Sequence, residues 1–275
     1  MRHSDQKANA PVAIVTGGNS GIGEAIVKLL AARDYTVLVA GRRRKENERV
    51  GAEADSLGEG RMIPFTADVS EEVDCLKLIQ TTAKEQGRLD LLVNNAGIGG
   101  FNPITETTSQ EFDRVMKTNL YSAYWCAREA FRIMKEQPAD ERTLRGSIVN
   151  MSSVCGVDAW SGAAVYCTSK HGMMGLTRAL ADEGAEAMIR VAAICPAMVA
   201  TPMTGREGPE YIAPDDIART LSYLLDLSPA AWPRASSRSS RSPAHLYVFE
   251  MRSMEPRSSS NSDSTRRCLR HSSRT

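Results

Sequence analysis

Thr16-Gly17-Gly18-Asn19-Ser20-Gly21-Ile22-Gly23 follows the short apolar run Val12-Ala13-Ile14-Val15 and precedes a stretch of helical spacing, in which Ile22, Ile26, Leu29 and Leu30 share a face. The order strand, glycine turn, helix puts glycine where the chain turns tightly and where a ligand must approach the backbone. The helix start offers free N–H groups and the positive end of a dipole to an anion such as a diphosphate. The spacing Gly-x-x-x-Gly-x-Gly is one residue longer than the usual dinucleotide fingerprint. Gly17, Asn19, Ser20, Gly21, Ile22 and Gly23 are therefore candidate cofactor-binding residues.

Outward from this turn, apolar runs alternate with amphipathic stretches. Strands are expected at 36–40, 62–67, 89–93, 147–151 and 190–195, and helices at 43–57, 71–86, 109–136, 164–187 and 214–225. Such alternation predicts an α/β fold: a doubly wound, Rossmann-like parallel sheet with helices on both faces. The second strand runs into Gly41-Arg42-Arg43-Arg44-Lys45. A carboxylate at that place would hydrogen-bond an adenosine ribose and repel a 2′-phosphate. Cations stand there instead, which favours NADP(H) over NAD(H), with Arg42 and Arg43 as the candidate contacts. Asp68 and Val69, after the third strand, are placed to meet the adenine ring, and Asp68 reads equally well as a helix N-cap.

The net charge of +1 gives no argument for nucleic acid or an acidic membrane surface. It conceals an asymmetry: residues 234–275 hold nine Arg, no Lys and three acids, against 25 basic and 30 acidic residues elsewhere. Thirteen Ser join those nine Arg in the 42-residue tail, too few apolar groups to offset the ordering entropy of a folded segment. The domain expectation is thus a flexible 1–10, a catalytic domain over 11–228 and an atypical, disordered 229–275. That tail reads either as a basic, phosphorylatable arm or, preferably, as an accident of sequence such as a shifted frame; nucleic acid is not an expected partner. The six cysteines form no Cys-x-x-Cys pair, so no metal site is expected, and they read as reduced core thiols. With a polar start at 1–11 and no apolar run of about 20 residues, a soluble cytoplasmic protein is expected.

Tyr166 and Lys170 stand four residues apart, on one face if their stretch is helical. An ammonium beside a phenol favours the phenolate and brings a value near ~10 toward the working range of an acid or base. Joined to the glycine turn, Asn94-Asn95-Ala96-Gly97, Asn119 in Lys-Thr-Asn-Leu, Ser152-Ser153, and Pro196 followed by Thr201, this pair makes residues 11–228 resemble the short-chain dehydrogenase/reductase family, near its 3-oxoacyl-[acyl-carrier-protein] reductase-like members.

The resemblance implies a small-molecule ketone or secondary alcohol as substrate, 3-oxoacyl-thioester reduction being one form. Tyr166 would protonate the carbonyl oxygen; Lys170 would lower the Tyr166 pKa and hold the nicotinamide ribose. Ser153, thirteen residues before Tyr166, would orient the substrate oxygen, with Ser152 as runner-up. Asn119 would hold a water linking Lys170 to solvent. Asn95, Ala96 and Gly97 would line the cleft, while Pro196, Val199 and Thr201 would border the nicotinamide, Val199 through its backbone. The family also implies a homodimer or homotetramer built on the helices at 109–136 and 164–187. The substrate pocket is expected between 99–103, 154–160 and 203–211. Members often carry Asn and Gly where this chain has Ala192 or Ala193 and, after Pro196, Ala197, which adds a methyl beside the nicotinamide. Most close the sheet with a seventh strand after a glycine-rich turn; here Trp232-Pro-Arg-Ala-Ser-Ser-Arg holds that place, and His245–Phe249 is a poor substitute. The competing expectation is a catalytically impaired, cofactor-binding regulatory or scaffold protein.

Overall fold

The computed structural model describes residues 10–141 and 144–228, together with the backbone of Val248–Met251. Its strands are β1 (Val12–Thr16), β2 (Thr36–Gly41), β3 (Met62–Thr66), β4 (Leu91–Asn94), β5 (Gly146–Met151), β6 (Ile189–Pro196) and β7 (Val248–Met251). Its α-helices are α1 (Gly21–Ala31), α2 (Arg44–Ala54), α3 (Glu72–Gln86), α4 (Ser109–Met116), α5 (Ser122–Glu136), α6 (Ala164–Ala187) and α7 (Pro214–Asp226). All strands pair in parallel in the order β3-β2-β1-β4-β5-β6-β7.

Alternate residues of each strand face opposite sides of the sheet. Ala13, Val15, Val37, Val39, Val149 and Ile194 pack under α1, α2 and α7 through Ile26, Leu30, Val50 and Leu221. Val12, Ile14, Leu38, Leu92 and Ile148 pack under α3 and α5 through Leu78, Ile79, Cys126 and Met134. Strands clothed on both faces have no polar side, which is why they read as unbroken apolar runs. Ala192 and Ala193 are buried within β6.

Some elements depart from expectation for visible reasons, beyond shifts of one to three residues at element ends such as that of α2, expected over 43–57. Leu89 lies before β4 because its N–H and C=O pair with the Gln137 amide at 3.0 and 2.8 Å, not with a neighbouring strand. The long helix expected over 109–136 contains a π turn at Lys117–Tyr121 between α4 and α5. The N-cap of α4 is Thr108, whose hydroxyl accepts from Glu111 N at 3.1 Å. The seventh strand runs parallel to β6, pairing Ala193 with Val248 and Pro196 with Met251; it lies past residue 228 and begins later than His245. The rest of 229–275 and residues 1–9 lie outside the described residues. Among the described residues no helix is long and apolar enough to cross a membrane, and no group of three or more His, Cys, Asp or Glu is arranged to hold a metal.

Candidate active site

The sheet order reverses between β1 and β4, and ligands of such sheets bind beyond the strand ends at that reversal. A cleft of about 320 Å³ opens there. Every predicted site residue lines it except Gly23, which packs on the lining residues Gly17 and Asn95, and Asn119, which meets the lining residues Gly97 and Ile98.

Gly17 and Gly21 adopt φ of +65° and +55°, the left-handed region that favours glycine. A Cβ on Gly23 would fall 2.1 Å from Gly17 O, so Gly23 is what lets α1 close against the turn. The first helical N–H groups of α1 are left without a side-chain cap, since Ser20 makes no capping bond. Asn95 Nδ2 donates to Thr16 O at 3.0 Å and Gly17 O at 3.1 Å. Thr16 Oγ1 in turn accepts from Asn95 N at 3.0 Å and Ala96 N at 3.1 Å. Asn95, expected to line the cleft, thus also braces the turn, and Thr16 is a brace the sequence reading left out. A narrow glycine turn with uncapped N–H groups and cations beside it fits a dinucleotide diphosphate.

At the adenosine end, Arg43 Nη2 reaches Asn19 Oδ1 at 3.2 Å and Ser20 Oγ at 3.3 Å. Arg42 is largely exposed and lies 4.0 Å from the Asp68 carboxylate. Asp68 is not the cap of α3, whose N-cap is Glu71. Asp68 instead accepts from Ser70 N at 3.0 Å and Ser70 Oγ at 2.7 Å. Val69 is buried, and its carbonyl accepts from Cys75 Sγ.

At the other end, α6 presents Tyr166 and Lys170 to the cleft. Lys170 is buried; its Nζ donates to Met151 O at 2.7 Å and lies 5.6 Å from the Tyr166 ring centroid. Burial pulls Lys170 down from 10.5 to about 8, the thiols of Cys195 and Cys155 opposing. Burial also pushes the Tyr166 phenol above its ordinary value, with Cys155 adding to the rise and hydrogen bonding to Ser153 opposing it. Desolvation is the largest cause of that rise, so the phenol sits above its ordinary value rather than below it, where an adjacent ammonium alone would place it. The two adjacent serines diverge, as neighbours on an extended segment do. Ser152 Oγ turns to the α6 backbone at Lys170 O, 3.3 Å away. Ser153 Oγ donates to Pro196 O at 3.4 Å and accepts from Cys155 N at 3.1 Å.

Asn119 sits in the π turn, fully buried. Its Oδ1 accepts from Ile98 N at 2.8 Å, and its Nδ2 donates to Ile98 O at 3.0 Å and Ser169 Oγ at 3.1 Å. The side chain expected to hold a water thus binds the loop after β4 to α6. A Cβ on Gly97 would stand 3.5 Å from Asn119 Oδ1 and 3.7 Å from Lys170 Nζ. Pro196 ends β6 at the cleft with Ala197 next to it, and the Val199 carbonyl accepts from Thr204 Oγ1 at 2.7 Å. Of the expected substrate frame, Met203 and Thr204 line the cleft, joined by Ile98 and Thr118, which were not foreseen. Phe101 leans on the Tyr166 ring, centroids 5.0 Å apart.

A family model described as short chain dehydrogenase matches residues 11–211. The chain is 34% identical over 220 residues to a 3-oxoacyl-[acyl-carrier-protein] reductase of Bos taurus, covering 80% of this chain and 89% of that protein. It is 37% identical over 196 residues to a 3beta-hydroxysteroid dehydrogenase of Mediterraneibacter gnavus, covering 71% of this chain and 68% of that one. Among solved structures, a metagenomic short-chain oxidoreductase in complex with NADP superposes with a TM-score of 0.71 at 27% identity, covering 89% of this chain and 96% of that chain. Levodione reductase gives 0.71 at 29% identity, covering 78% and 90%.

Proposed function

The chain belongs to the short chain dehydrogenase family and catalyses ketone–alcohol oxidoreduction, and on that footing we propose an NADP(H)-dependent enzyme with Tyr166 as its acid and base. The observation that carries this reading is that Tyr166, Lys170 and Ser153 line the same cleft as the glycine turn. When bound, the nicotinamide supplies or accepts the hydride. Gly17 to Gly23 would hold its diphosphate, and Arg42 and Arg43 its 2′-phosphate.

Burial keeps the Tyr166 phenol protonated at neutral pH, so in reduction it stands ready to give its Oη proton to the carbonyl oxygen. Lys170, at about 8, is mostly ammonium at neutral pH and stabilises the phenolate left behind. Ser153 orients the substrate oxygen and shares the charge that develops on it. The relatives' names cover acyl-carrier-protein, steroid and levodione substrates. What they share is the ketone–secondary alcohol pair, and 3-oxoacyl-thioester reduction is the form suggested by the cattle protein. NADP(H) over NAD(H) is supported by the cations at the end of β2 and by the relative described with NADP. A cytoplasmic homodimer or homotetramer completes the reading, with the exposed Phe112 of α4, Tyr121 of the π turn and Tyr124 of α5 as material for subunit contact.

Tyr166→Phe tests the reading. Turnover of a ketone panel with NADPH should fall about 10³-fold, while NADPH binding, followed by fluorescence titration, stays as in the wild type. Turnover retained in that variant would overturn it.

A further inference from the structure

Asn47 lies on α2, a helix otherwise rich in charge, yet its side chain is fully buried. Both ends of its amide are engaged. Nδ2 donates to Gly41 O at 2.8 Å and to Phe65 O at 2.9 Å, tying the ends of β2 and β3. Oδ1 accepts from Asn19 Nδ2 at 2.7 Å. Asn19 passes the link on, since its Oδ1 accepts from Arg43 Nη2 at 3.2 Å, and the same Nη2 reaches Ser20 Oγ. Gly41 makes room for the crossing: a Cβ there would stand 2.4 Å from Asn19 Nδ2 and 2.9 Å from Asn47 Oδ1.

An amide side chain has a donating end and an accepting end. Two backbone carbonyls claim the donating end of Asn47, so its oxygen faces Asn19. That oxygen claims the donating end of Asn19, so the Asn19 oxygen faces outward, toward a cation. The polarity of the buried pair is thus set by β2 and β3 and read out at Arg43. Arg42 has no comparable tether, being largely exposed with Asp68 at 4.0 Å.

We propose that Asn47 is a positioning residue for cofactor choice: through Asn19 it holds the Arg43 guanidinium beside the glycine turn, where Arg43 receives the 2′-phosphate of NADP(H). The proposal rests on the NADP(H) reading above. Its substance is that Arg43 discriminates only as well as the Asn47–Asn19 chain aims it.

The test is a double-mutant cycle on the full chain, read by calorimetric titration with adenosine 2′,5′-bisphosphate and with adenosine 5′-monophosphate, which differ only in the 2′-phosphate. The wild type should prefer the 2′-phosphorylated probe. Asn47→Ala should cut that preference about tenfold, the fold-change of one hydrogen bond to a charged group, by weakening the 2′,5′-bisphosphate alone. In an Arg43→Ala background, Asn47→Ala should leave the remaining preference unchanged. A wild type without preference overturns the cofactor reading and this proposal with it. A preferring wild type whose Asn47→Ala variant keeps the preference, or weakens both probes alike, overturns the proposal alone; so does an equal effect of Asn47→Ala with and without Arg43. If Asn47→Ala does not fold, Asn19→Ala in the same two backgrounds tests the link through the ratio of the two affinities alone, since Asn19 also lines the cleft: it cuts the link to Arg43 and spares the bonds from Asn47 to Gly41 and Phe65, and a ratio unchanged from the wild type overturns the proposal.

Discussion

At the β1 end of the cleft, uncharged groups hold the backbone. Thr16, Asn95, Asn19 and Asn47 share short hydrogen bonds among themselves and with main-chain atoms, and glycines leave room for them. At the α6 end, two ionisable groups are carried into the interior, and both are displaced from their ordinary titration, Lys170 downward and Tyr166 upward. The first end is specified by shape, the second by charge under burial. Substitutions should therefore break the first through volume and the second through pH.

The largest effect is expected from Gly23→Ala. The added methyl would lie 2.1 Å from Gly17 O and 2.6 Å from Asn95 Nδ2, and the nearest atom is backbone, which cannot swing aside. The turn must open, at a cost on the order of 3–5 kcal/mol. Chemical denaturation should show that loss, and fluorescence titration should show NADPH binding gone. A variant that binds NADPH as the wild type does would show that the turn is loosely held and that the contrast between the ends is false.

The contrast also explains what the sequence could reveal. The glycine turn, Tyr166 and Lys170 are local patterns, legible because their spacing carries the geometry. Asn47 was not legible, because it lies in a polar stretch that reads as a solvated helix face, and only the β2–β3 crossing buries it. The π turn at Lys117–Tyr121 was invisible for a similar reason: the apolar periodicity runs on through it. The upward shift at Tyr166 is not legible either, because proximity to Lys170 can be counted along a helix, whereas desolvation is set by tertiary packing such as Phe101 against the ring. His245–Phe249 reads as a poor substitute for the seventh strand, yet that strand lies at Val248–Met251, overlapping its end, since register against β6 is a tertiary choice.

A middle-sized effect should appear at Lys170 and depend on pH. Its folded value, about 8, lies below its ordinary 10.5. Between the two, the unfolded chain binds a proton that the folded chain has released, so this group's contribution to stability rises with pH across that window. Comparing wild type with Lys170→Met removes the other titrating groups from view. The wild type should gain about 3 kcal/mol on the variant between pH 8 and pH 10.5, measured by urea unfolding at a series of pH values. A difference that stays flat would mean that Lys170 is solvated, and that the α6 end is not governed by burial.

The smallest effect belongs to the exposed margin of the β1 end. Arg42 and Asp68 approach only to 4.0 Å, with side chains 66% and 40% exposed. Exposed pairs of this kind contribute about 0–1 kcal/mol. Asp68→Asn keeps an oxygen able to accept from Ser70 N and Ser70 Oγ, so the local turn survives while the charge is lost. Stability should change by less than about 0.5 kcal/mol. Losing a carboxylate beside the cations should leave NADPH affinity equal or slightly higher, most visibly at low salt, where exposed charges are least screened. A marked loss of stability in urea would place Asp68 among the braces of the turn and move the boundary between shape and charge outward to the cleft's edge.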